Sequence, residues 1–228
     1  MWVLRRLLVA IEVLAILSVV SQVLTYAVSD FPLRDAIGPL FNVNAEQNLP
    51  ALFSSMMFLV AALLAGAVAH ARRRLDRPDR GYWVTSTVLF VVLAVDEFGS
   101  LHEKAAPGLR DLLDIGGGPQ WSVWVLVAVP ALALLLLFFL PFLRRLPRGI
   151  RRGFVLAALL FLGGAIVVEL LGDWYAAGFG RSTLGFELIG TVEETLEMGG
   201  LAVLVYALLV YVPLGLSGTG WRLRVGGG

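Results

Sequence analysis

Apolar residues in this chain come in six long runs, each close to the roughly 20 residues that an α-helix needs to cross about 30 Å of hydrocarbon. None of the runs alternates polar and apolar in the way of a half-buried strand. The pattern predicts spans at Leu7–Val28, Pro50–Ala71, Tyr82–Glu103, Trp121–Leu143, Gly153–Asp173 and Ile189–Val212. The expected fold is therefore all-α, a polytopic membrane protein. Residues 1–216 form a single six-helix transmembrane domain, and the Gly-rich residues 217–228 form a flexible C-terminal tail. The first run also has the outline of a signal peptide, with Arg5 and Arg6 ahead of it. Its apolar stretch is too long for one, carries Glu12 and ends in the poor cleavage sequence Thr25-Tyr26-Ala27, so it is expected to stay as a helix.

The basic residues sort by loop. Arg5 and Arg6, then Arg72, Arg73, Arg74, Arg77 and Arg80, then Arg144, Arg145, Arg148, Arg151 and Arg152, and finally Arg222 and Arg224 fall on one side of the alternating topology. Only Arg34, Lys104, Arg110 and Arg181 fall on the other. By the positive-inside rule the first side is cytoplasmic, and both termini face it. Trp2, Trp83, Trp121 and Trp124 near span ends fit an aromatic belt.

Composition agrees and excludes several classes. The 228 residues are 58% hydrophobic and 15% charged, with mean hydropathy +0.84, well short of the roughly 25% charge of a soluble domain. The absence of cysteine rules out Fe–S clusters and thiol nucleophiles. His70 and His102 are the two histidines and end on opposite faces, so no b-type haem is expected. No basic run interleaved with aromatics points to nucleic acid.

Against this background the carboxylates stand out. Asp96, Glu97 and Glu103 close the third span, Glu169 and Asp173 the fifth, and Glu193, Glu194 and Glu197 open the sixth. All eight fall at the extracytoplasmic side. Acidic side chains in or near hydrocarbon are expensive and mark functional sites with partners. So many carboxylates at one level require neutralisation by protons or by cations. Oxygen ligands with one imidazole suit Fe, Mn or Zn, and an all-oxygen subset suits Ca or Mg. The expected metal ligands are Glu97, His102, Glu103, Glu169, Asp173 and Glu197, with Asp96, Glu193 and Glu194 as candidate catalytic acids or bases. Glu46, Asn48, Ser54 and Ser55 at the start of the second span, with Ser100 and Arg181, are candidate substrate contacts.

Three of these acids also have ordinary explanations. Thr191-Val192-Glu193-Glu194 reads as a capping box, Glu193 suits a helix N-terminus, and Glu103 sits beside Lys104 where headgroups would solvate it. Glu12 is expected to be a buried, hydrogen-bonded residue, with a place in a proton path as the alternative. Gly163, Gly164, Gly172, Gly190, Gly199 and Gly200 would let the fifth and sixth helices approach closely. The apolar run Leu132–Leu140 marks the fourth helix as a lipid-facing support.

The motifs Asp96-Glu97-x-x-Ser100-x-His102-Glu103 and Glu193-Glu194-x-x-Glu197, with Glu46, Asn48, Pro50, Ser54 and Ser55 before them, resemble a group of uncharacterised bacterial six-helix membrane proteins. The resemblance implies a bacterial inner-membrane setting and no known activity. CAAX-type intramembrane proteases and the three-histidine zinc hydrolases of the ceramidase group share fragments only. Met198 stands where the former need arginine, and the chain lacks the histidines of the latter.

These features together suggest a metal-dependent enzyme acting on a lipid or other amphiphile, hydrolytic or oxidative. The alternatives are a proton or divalent-cation transporter and a non-catalytic cation-binding sensor or assembly partner.

Overall fold

The computed structural model describes residues 1–28, 34–45, 47–114 and 123–215. Glu46, Trp121, the tail from residue 216 and the Glu103 side chain lie outside what it describes. Among the described residues the chain is helical, with no strand. Six helices are long and apolar enough to cross a membrane.

The first span is α1 (Trp2–Ala27). A short α2 (Arg34–Phe41) leads into the second span, α3 (Leu49–Arg74). Asn48 starts α3, its side-chain oxygen accepting from the Ala51 N–H, and Pro50 sits in the first turn where no amide donor is needed. Arg72, Arg73 and Arg74 close the helix at the negative end of its dipole. The third span, α4 (Arg80–Gly99), stops four residues short of its expected end. Ser100 takes a left-handed conformation (φ 50°) and starts a separate helix, α5 (Leu101–Leu112).

The fourth span is α6 (Trp124–Arg145). The fifth is built from α7 (Arg148–Leu162), a π-helical turn at Gly163–Val168, and α8 (Glu169–Phe179). The sixth is α9 (Leu184–Gly215). It begins five residues earlier than the pattern suggested, with Thr183 Oγ1 accepting from the Phe186 N–H. Thr191 is thus inside a helix, so the capping-box and dipole readings of Glu193 and Glu194 fail.

Half of the spanning windows of α3 and α9 is buried, against 11–22% for the other four, so these two form the centre and the rest present apolar side chains outward. Their seam is made of small and large residues in apposition: Ala61 and Ala65 are fully buried, as are Met198, Ala202 and Leu208. Phe58 of α3 meets Phe161 of α7 edge-on at 5.6 Å. Trp83 belongs to this core rather than to an aromatic belt. It is 1% exposed, stacked on Tyr211 and edge-on to Phe142.

The arginine-rich ends converge. The Met1 amino group reaches the Tyr206 hydroxyl, and Arg72 donates to Tyr211 while pairing with Asp79. At the opposite end lie α2, α5 and the segment Asn42–Ala45, above the acidic turns. A polar network ties that end together. Gln22 Nε2 of α1 donates to Ser18, Asn42 and Thr191 of α9, and Asn44 Nδ2 donates to both the backbone and the carboxylate of Glu187.

Candidate functional site

The break at Ser100 decides where the acidic motif of α4 points. Asp96 lies one turn before the break, and its carboxylate reaches across it. Oδ1 accepts from the His102 backbone N–H and Oδ2 from the His102 ring Nδ1, both at 2.9 Å. One side chain thus satisfies an orphan donor at the start of α5 and orients an imidazole. Because an ionised carboxylate only accepts, Nδ1 carries the hydrogen and Nε2 lies on the far edge of the ring. Trp124 at the start of α6 packs its ring against His102 at 5.2 Å.

The second wall comes from the fifth and sixth spans. Gly164 in the π-helical turn lies so close to α9 that a Cβ there would stand 2.7 Å from the Glu193 carbonyl oxygen and 2.8 Å from Glu197 Cγ. The β-branched run Ile166-Val167-Val168, which crowds a regular α-helix, completes the wide turn and delivers Glu169. Glu169 then hydrogen-bonds Glu193. Glu197, one turn deeper, sits within electrostatic reach of Glu194, Glu97, Glu193 and Glu169. Two carboxyl groups in hydrogen-bond contact hold a proton between them, or a cation in its place.

Of the six glycines expected to draw the fifth and sixth spans together, Gly164, Gly172 and Gly200 do so. Gly163 and Gly199 face open space, and Gly190 makes room for the Asn44 side chain instead.

These walls enclose a cavity of about 520 Å³. Asp96, Glu97, His102, Glu169, Glu193, Glu194 and Glu197 line it, as does Arg181. Its apolar side is α6, from Trp124 through Ala128 and Ala131 to Leu135, with Phe58, Leu93 and Phe161 below. Trp124 to Leu135 spans about 16 Å at 1.5 Å per residue, so the cavity is long, polar at one end and apolar at the other. α6 is therefore more than a lipid-facing support: Leu134, Leu136 and Leu137 point outward, while Leu132 and Leu135 face the cavity.

The other expected site residues are placed as follows. Asp173 is buried and ion-paired to Arg181, just outside the lining. Asn48 donates to the carbonyls of Pro39 and Asn42, and Ser55 to that of Ala94. Ser54 is buried in α3, and Ser100 forms the break itself. All four lie outside the cavity lining. Glu46 and the Glu103 side chain are beyond the described residues. Glu12 is exposed on the outer face of α1, not buried as expected.

Asn44 and Gly190, by contrast, line the cavity without having been foreseen. Four amide residues, Asn42, Asn44, Gln47 and Asn48, within seven positions just ahead of a span were the signal available.

The electrostatics are one-sided. Six carboxyl groups line the cavity beside one guanidinium and one imidazole, and Arg181 is already paired with Asp173. Two like charges 4 Å apart repel by about 4 kcal/mol at an effective dielectric of about 20. The donor set is chemically suited to a divalent cation. Among the described residues, however, no three Asp, Glu or His side chains converge as ligands.

A family model described as a domain of unknown function, DUF8692, matches residues 7–212. No curated protein and no solved structure matches the chain.

Proposed function

The chain belongs to the DUF8692 family, and we propose that it is a membrane-embedded enzyme whose cavity takes a lipid or other amphiphile. The observation that carries this reading is the cavity's form. A volume of about 520 Å³ lies within the range of small-molecule sites, roughly 300–1,000 Å³. Its apolar length along α6 suits a hydrocarbon chain, and its polar end brings the reacting part of the molecule to His102 and the glutamates.

In this reading His102, oriented by Asp96, is the general base or acid. Glu97, Glu169, Glu193, Glu194 and Glu197 hold a proton store or a divalent cation. A bound cation would polarise the substrate or activate water, and the glutamates would have to close around it to supply a full ligand set. The charge asymmetry supports a cytoplasmic arginine-rich end, and with it a position for the cavity's polar end near the outer surface of the membrane. The resemblance to bacterial six-helix proteins is what supports a bacterial inner membrane.

Native mass spectrometry of the purified protein tests the occupancy. Wild type should retain an amphiphile that Ala131→Trp, which fills the apolar half of the cavity, expels. An empty cavity in wild type, or retention unchanged in Ala131→Trp, would count against the reading.

A second reading, proton or divalent-cation transport, draws support from the Glu169–Glu193 contact across two packed helices. It is favoured less because a path for ions alone needs no apolar chamber of this size. Proton flux in proteoliposomes that Glu193→Gln abolishes would raise it above the first.

A further inference from the structure

Away from the cavity, the outer faces of α1 and α9 form an open groove of about 480 Å³ that includes Ile11, Glu12, Ala15, Thr195 and Gly199. Glu12 is exposed there, and among the described residues it makes no hydrogen bond or ion pair. It lies about 9 Å further along α1 than Arg6, at 1.5 Å per residue, well inside the apolar run. A carboxyl group at that depth facing lipid is costly, and such groups find polar partners across helix contacts.

Gly199 adds an independent indication. Glycine inside a helix is unfavourable relative to alanine, and α9 shows its reason at other glycines. Gly185 lies against the Tyr175 ring, Gly190 against Asn44, and Gly200 against Phe161 and the Ala157 carbonyl. Around Gly199 an added Cβ would meet nothing within 4 Å. No neighbouring atom of the described residues requires the Cβ to be absent, and the position opens onto the same groove as Glu12.

We propose that this groove docks a transmembrane helix of a separate membrane protein, one that carries a lysine or arginine at the depth of Glu12. Gly199 and Thr195 allow close backbone approach, and the basic side chain pairs with the Glu12 carboxylate. A second copy of this chain does not fit that role. The basic residues of its described spans lie in the end turns of their helices and offer no cation at this level.

The test uses the full chain, labelled at its amino terminus and reconstituted in phosphatidylcholine vesicles. Energy transfer is measured to labelled 21-residue Leu/Ala transmembrane peptides, one with a single lysine at the matching depth and one with leucine there. The lysine peptide should bind about tenfold more tightly, a difference of about 1.4 kcal/mol. Glu12→Gln should reduce it to the level of the leucine peptide. Gly199→Val, whose Cβ meets no heavy atom of the protomer within 4 Å, should do the same by filling the groove. Equal binding of the two peptides by wild type would overturn the proposal, as would full lysine-peptide binding by Glu12→Gln. Glu12-dependent self-association of the chain without peptide would also overturn it, by making a second copy the occupant.

Discussion

Asp96 holds His102 twice, through the backbone amide and through the ring, across a left-handed residue that separates two helices. Under the proposed function the same carboxylate would serve both the fold and the chemistry, and the two roles separate by substitution. Asp96→Asn keeps an oxygen for the amide donor but removes the anion opposite the imidazole. Stability is expected to fall by no more than about 1 kcal/mol, in the range of a weakened cap. Turnover should drop by about 10²-fold or more, the scale of a disabled general base. Thermal unfolding and product formation measured on one preparation check both.

Adjacent glycines in the π-helical turn make a matched pair. Gly164→Ala forces a Cβ against the Glu193 carbonyl and the Glu197 side chain. It should cost about 1–3 kcal/mol, as overpacking does, and should disturb the acidic wall. Gly163→Ala meets nothing and is expected to be neutral or stabilising by up to about 1 kcal/mol through helix propensity. Unfolding of the two variants in detergent shows a loss for Gly164→Ala and none for Gly163→Ala if the turn is packed as described.

Gln22 is buried in α1 and donates to Ser18, Asn42 and Thr191. Gln22→Leu removes the donor shared by these three acceptors, each of which keeps one other partner: Ser18 Oγ accepts from the Val43 N–H, Asn42 Oδ1 from the Asn44 N–H, and Thr191 donates to the Glu187 carbonyl. The expected loss is about 1 kcal/mol, the net worth of a typical hydrogen bond, rather than the larger penalty of a stranded group. Thr191→Val alone should be milder, and the double variant should lose less than the sum of the singles. Equilibrium unfolding of the three proteins measures the coupling.

Much of the fold was legible because long apolar runs have one structural solution in a bilayer. The local departures were not. Gly99-Ser100 ends α4 by a left-handed residue stabilised through Asp96, a side-chain contact that periodicity does not carry. Thr191-Val192-Glu193-Glu194 has the form of a helix start, yet α9 begins at Leu184, so the pattern pointed to a boundary where there is none. That correction strengthens the site, since Glu193 and Glu194 lose their ordinary explanation and line the cavity instead. Grouping the acids of three spans at one end was possible from topology alone. Separating Asp173, Asn48, Ser54 and Ser55 from the cavity required knowing which way each side chain turns. Asn44 was missed because its role depends on the loop before α3 folding over α9, a long-range contact.

The most direct test of the proposed activity is turnover. Purified wild type, supplied with a bacterial lipid extract and a panel of Mg, Ca, Mn, Fe and Zn, should generate a new lipid-derived product detectable by mass spectrometry. Glu97→Gln and His102→Asn, folded to the same thermal stability, should generate none. No product from wild type under any ion, or equal product from the two variants, would contradict the assignment of this cavity as a catalytic site.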